Sequence, residues 1–134
     1  MSCASALYTV NQSGQTVPAT GTIPFGDIIR RYGLYTDLNG SGIVIGGRGY
    51  YKVSLSATLT AKAAGLVTVT LQADGSDVVG MTASETATAA EGVVNLKIDG
   101  IVRQTCYEQP ITLTAKVTGV PVIVNNVATT VIKI

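Results

Sequence analysis

The feature that most constrains this chain is a period of two. In Tyr51, Val53, Leu55, Ala57 and Leu59 every second residue is apolar, with Lys52, Ser54, Ser56, Thr58 and Thr60 filling the gaps. Successive side chains of a strand point to opposite faces, so the run predicts a strand with one buried and one polar face. The pattern returns in Val67, Val69, Leu71 and Ala73, which alternate with Thr68, Thr70 and Gln72. It returns again in Val94, Leu96 and Ile98, and in Ile111, Leu113, Ala115 and Val117, each set interleaved with polar residues. Asn39-Gly40 and Asp74-Gly75 are turn pairs, because a tight hairpin needs residues that tolerate positive φ.

Around these runs the chain is less regular. In the first 38 residues, "SALYTV" (5–10) and "GTIPF" (21–25) read as short strands separated by the loop chemistry of "NQSGQTVPAT" (11–20). "GDIIRRYG" (26–33) alone has helical colour, and eight residues between glycines make one or two turns at most, or a strand. The alternation at 94–98 breaks at Gly100, and "SETATAAEG" (84–92) reads as a polar loop holding Glu85 and Glu91. "PVIVNNVATTVIKI" (121–134) reads as two short strands about Asn125-Asn126, with strand to the last residue. That makes eight or nine strands and no helix of ten residues. The predicted class is all-β, an antiparallel sandwich or barrel with one apolar face per sheet. "TLTAK" occurs at 58–62 and again at 112–116, two strands meeting one constraint. No linker divides the chain, which predicts a single domain over 1–134, with 1–38 as its less regular N-terminal segment.

Composition adds a second constraint. Only 13% of residues are charged while 46% are hydrophobic. A chain of this size buries roughly two-thirds of its unfolded surface and needs no staple. So few charges leave little to cover the outside, which predicts burial against other copies of the same chain. Net charge is +1 and the cations are scattered apart from Arg30-Arg31, which argues against a nucleic-acid partner. The amino end has no charged region followed by an apolar one, so no signal peptide is expected. No apolar run approaches the roughly 20 residues that span a bilayer, so no membrane partner is expected. Synthesis in the cytoplasm without the secretory route follows. Cys3 and Cys106 permit one disulfide, and free buried thiols are the better expectation for a cytoplasmic product.

Catalytic and metal chemistry find little to work with. Histidine is absent, which removes the commonest general base and the commonest zinc ligand. Two cysteines more than a hundred residues apart are no metal pair. The glycines of "GSGIVIGGRG" (40–49) miss the dinucleotide spacing and precede a strand, so they read as turn and bulge positions. Asp74, Asp77, Glu85 and Glu91 would hold calcium only if the fold gathered them with carbonyls, and solvated turn residues are the plainer reading. Arg30-Arg31 reads as a surface or interface ion pair. No enzyme, cofactor or metal is expected. Tyr50 and Tyr51 point to opposite faces of one strand, so at most one is core and the other suits an interface.

The order of signals in residues 39–134 resembles a known family. "NGSGIVI", then "GRGYYKVSLSATLT", then "VTVTLQADGSDVVG" and a terminal "ATTVIKI" are similar to the trimeric jelly roll of tumour necrosis factor and the complement globular head. There a Gly-x-Tyr stretch, here Gly49-Tyr50-Tyr51, opens a long central strand, and the last strand runs through the middle of a sheet. The amino-terminal "ALYTVNQSGQTV…GTIPFGDIIRRYG" and "VRQTCYEQPITLTA" look more like small phage structural proteins than like the carboxy-terminal domains of spore-surface collagen-like proteins. Unlike the latter, the chain has no collagen-like Gly-x-y stalk. The resemblance implies an antiparallel β-sandwich of jelly-roll topology, a homotrimer without catalysis, and a place on the virion surface beside the major capsid or other virion proteins. The role implied is that of a capsid decoration or head-fibre protein. The alternative is a receptor- or glycan-binding tip of a tail fibre or bacterial surface protein. Candidate interface residues are Tyr8, Phe25, Tyr50, Tyr51, Tyr107 and Ile132.

Overall fold

A computed structural model describes residues 5–33, 35–40, 42–105 and 109–134, which hold twelve strands and no helix. One sheet runs in the order β10 (Val93–Gln104), β7 (Gly49–Ala61), β12 (Val122–Lys133), β1 (Ala6–Asn11) and β4 (Asp27–Tyr32). The short β2 (Thr16–Val17) pairs with the start of β12. The other sheet runs β5 (Thr36–Asn39), β6 (Gly42–Ile45), β11 (Ile111–Gly119), β8 (Gly65–Ala73) and β9 (Ser76–Ala87), with β3 (Thr22–Ile23) beside β11. Every pairing is antiparallel. Chain neighbours such as β7 and β8, or β11 and β12, lie in opposite sheets. This is the crossing connectivity of a jelly roll. The last strand sits in the middle of its sheet, as the resemblance implies.

The core lies between the sheets and is built from the alternating positions. Tyr51, Val53, Leu55, Ala57, Leu59 and Ala61 of β7 are buried, facing Val67, Val69 and Leu71 of β8 and Leu113, Ala115 and Val117 of β11. Each such aliphatic side chain contributes about 1.5–3 kcal/mol by leaving water. The two "TLTAK" segments fall in opposite sheets and do the same thing in each, with Leu and Ala inward and Thr outward. Tyr51 donates its buried hydroxyl to the Gly47 carbonyl at 2.6 Å, so its polar tip is satisfied. The expected turns form: Gly40 has φ +60°, and Asp74 and Gly75 have φ +51° and +85°, joining β8 to β9.

Several expectations are corrected. Residues 27–32 are a strand, so the helical alternative at 26–33 fails; β1 supplies hydrogen bonds along that segment's length. The loop at 11–20 contains the two-residue β2. Residues 84–87 belong to β9, so Glu85 lies in a strand, and its Oε2 accepts the amide of Asn95 at 2.8 Å. The weak alternation of β9, a sheet edge, hid it, and twelve strands replace the eight or nine. β10 does not break at Gly100. Gly100 faces inward, and a Cβ there would stand 2.8 Å from Met81 Cγ, so the methionine of β9 fills the space. Residues 122–133 form one strand with a bulge, since Val124 pairs with Leu59 and Asn126 with Thr58. The strand stops at Lys133, short of the last residue. Cys3, Cys106 and the thiol pairing fall outside the described residues.

Candidate subunit interface

Alternation sends half the side chains of the β10-β7-β12-β1-β4 sheet onto its outer face, and strand register lines them into rows. One row reads Ile101, Lys52, Ile132, Ala6 and Tyr32 across the five strands. Its ends lie about 19 Å apart at the usual strand spacing. The next row reads Asp99, Ser54, Thr130, Tyr8 and Arg30, and the one after it Lys97, Ser56, Ala128, Val10 and Asp27. On the other side of the first row, at the end of the sheet, Arg103 pairs with Tyr50. The Tyr50 carbonyl accepts the amide of Ile134 at 2.9 Å.

The apolar groups gather in the rows nearest that end. Tyr8 is 36% exposed, Ile132 45%, Ile101 60% and Tyr32 63%. Between β12, β1 and β4, Tyr8, Tyr32 and Ile132 border a cavity of about 220 Å³ whose wall includes Ala6, with Arg30 and Arg31 beside it; Ile101 stands apart from it on β10. Arg31 is held at that edge by Asp37, 3.6 Å away, and by the Thr36 carbonyl, 3.0 Å from Nε. Further along, the face is more polar, with Val93 beside Thr60 as an exposed apolar residue, and several of its polar groups bond to each other. Ser54 Oγ donates to Asp99 at 2.6 Å, Thr58 Oγ1 to Asn95 at 3.0 Å, and Asn125 Nδ2 to Thr60 at 2.7 Å.

The outer face of the second sheet differs. β8 presents Leu66, 51% exposed at its start, and then Thr68, Thr70 and Gln72, β9 presents Thr82 and Ser84, and β11 presents Thr112, Thr114, Lys116 and Thr118. Hydroxyls bridge the strands, Thr68 to Ser84 at 2.9 Å and Thr82 to Thr70 at 3.3 Å. Such a surface is at ease in water, whereas an isoleucine and tyrosine cluster that size marks a contact. Chemically the first sheet's outer face can bury apolar area, and among the described residues no group of three candidate metal ligands accompanies it. The carboxylates weighed for calcium are engaged elsewhere: Asp74 accepts the amide of Thr112 at 3.0 Å and Asp77 the Gln72 amide group at 2.8 Å.

Of the interface candidates, Tyr8, Ile132 and Tyr50 lie on this face. Phe25 and Tyr51 do not, because both are fully buried within the chain's own core. Phe25 enters it because Gly26, at φ +90°, packs against the Val10 carbonyl and turns the chain inward. Tyr51 follows the inward parity of β7. Tyr107 lies outside the described residues. Tyr32 and Ile101 escaped sequence reading: the first sat in a stretch with helical colour, the second beyond the supposed break at Gly100. Continuing the 94–98 alternation through the glycine would have placed Ile101 outward.

No protein-family model matches the sequence, and no curated protein matches it. Solved structures do match. Eiger TNF from S. frugiperda superposes with a TM-score of 0.68 at 12% identity, over 97% of this chain and 91% of that one. The PRD1 vertex protein P5 gives 0.64 at 15% identity, over 97% and 96%. The globular domain of zebrafish complement 1qA protein gives 0.64 at 5%, over 95% and 94%. The chain therefore has the jelly-roll fold shared by tumour necrosis factor and the complement globular head.

Proposed function

We propose that the chain is a non-enzymatic structural protein of a phage particle. It forms a homotrimer through the outer face of the β10-β7-β12-β1-β4 sheet and decorates the capsid or builds a head fibre. The observation that carries the reading is the row Ile101, Lys52, Ile132, Ala6 and Tyr32, with Tyr8 beside it and the 56% exposed Val93 further along the same face. A chain with 13% charged residues has few means of keeping such a cluster soluble, and a second copy is the partner always present. A three-fold arrangement uses one patch from each neighbour in head-to-tail sense and closes on itself. The virion assignment is supported by the fold's occurrence in a vertex protein and by the resemblance to phage structural proteins. The interface centres on Tyr8, Ile101 and Ile132, with Tyr50 at its rim.

Sedimentation equilibrium tests the assembly. The expected mass is three times the 13.8 kDa of the chain. Ile132→Asp, which sets a carboxylate in the middle of the apolar row, is expected to give monomers with an unchanged β-sheet spectrum. A wild-type monomer at micromolar concentration, or an Ile132→Asp trimer, refutes this interface. Purified particles are then expected to carry the protein in a fixed ratio to the capsid protein.

A further inference from the structure

At the end of the first sheet, beyond the apolar row, a cavity of about 230 Å³ is lined by Arg48, Gly49, Tyr50, Arg103, Gln104 and Thr105. We propose that this pocket binds a single acidic unit of a glycan or polyol polymer, a sugar ring or polyol carrying a carboxylate or phosphate. Charge is the first ground. Arg48 and Arg103 wall the pocket, and none of the described carboxylates lines it. Arg48 also has an interaction within the chain. A guanidinium offers forked donors matched to the two oxygens of a carboxylate or phosphate.

The second ground is the aromatic surface. Tyr50 is 52% exposed, and the Arg103 guanidinium lies 5.8 Å from its ring centroid. That stack fixes the direction of the guanidinium and leaves the rest of the ring as an apolar plate, while the tyrosine and Thr105 hydroxyls offer neutral hydrogen bonds. An inorganic anion needs only the cations. An apolar plate and hydroxyls beside them suit a ring or polyol with CH and OH groups. The volume fits one such unit rather than a drug-sized molecule. The pocket lies in the last row of the sheet, at the rim of the proposed trimer contact, and shares Tyr50 with it, while Arg48, Arg103 and Thr105 belong to the pocket alone.

The test uses the full chain in its own oligomeric state, followed by its amide spectrum. The probes are glucuronic acid, glycerol phosphate, glucose and a blocked glutamate, at matched ionic strength. Saturable shifts of the Gly49, Tyr50 and Thr105 amides with glucuronic acid or glycerol phosphate are expected, and the tighter of the two identifies a carboxylate or a phosphate source. Arg103→Gln, an exposed change that leaves the fold alone, is expected to weaken binding about tenfold, the loss of one charge-assisted pair. Tyr50→Ala is expected to weaken it as well, by removing the apolar plate. No saturation by either acidic probe, an equal response to glucose, equal affinity for the blocked glutamate, or an unchanged affinity in Arg103→Gln overturns the proposal.

Discussion

Tyr51 and Thr129 are both buried and both carry a hydroxyl, yet they relate to stability in opposite ways. The Tyr51 hydroxyl has a partner, the Gly47 carbonyl at 2.6 Å. The Thr129 hydroxyl, and that of Thr9 beside it on β1, have none among the described residues. Removing a buried group that has a partner strands that partner, while removing one without a partner relieves a desolvation cost. Tyr51→Phe is therefore expected to lower the unfolding free energy by about 1–2 kcal/mol. Thr129→Val, similar in shape, is expected to raise it by up to about 1 kcal/mol. Urea denaturation of the two variants checks both signs, and a loss in Thr129→Val would mean that the hydroxyl has a partner after all. Sequence reading could place Tyr51 and Tyr50 on opposite faces. It could not say which of them was inside, because Gly47 and the partner sheet decide that.

Elements were most legible where one face is fully buried. β7, β8 and β11 follow the alternation from end to end, because each is flanked by strands on both sides and covered by the other sheet. β9 has a sheet edge, with only Met81 and Ala87 buried along its twelve residues, and its alternation was too faint to read. β12 misled for another reason. Its inward residues run Val122, Val124, Val127, Thr129 and Val131, so the phase slips by one residue at Asn125. A slip in sequence looks like the end of one strand and the start of another; in the fold a bulge absorbs it. The bulge makes a testable element. Deleting Asn125 restores strict alternation and removes its 2.7 Å bond to Thr60, so the expected cost is about 1 kcal/mol. Deleting Ala128 instead drives Val131 or Val127 out of the core and is expected to cost about 2–3 kcal/mol or more. Thermal and chemical unfolding of both deletions separates the cases, and equal costs would show that Asn125 is not the accommodating residue.

For the whole molecule the governing quantity is the contrast between two outer faces. One is a hydroxyl-bridged threonine surface and the other carries the row Ile101, Lys52, Ile132, Ala6 and Tyr32. If burial of that row couples folding to trimer formation, the unfolding midpoint depends on protein concentration by mass action. With the usual enthalpy per residue, a tenfold increase in concentration is expected to raise Tm by roughly 3 °C, and calorimetry at two concentrations reads it. A concentration-independent Tm would place the apolar face outside the folding equilibrium. The sequence by itself determined the class of the fold, most of the long strands and which residues share a face of each. Those follow from alternation within one short segment, where neighbouring side chains point opposite ways whatever surrounds them. Only the tertiary structure decided which residues share a surface. Ala6, Tyr32, Lys52, Ile101 and Ile132 come from across the whole chain, and no local period relates them. Sheet order and the bulges of β4, at Ile29, and β12 set the register between strands, and that register alone brings the five side chains into one row.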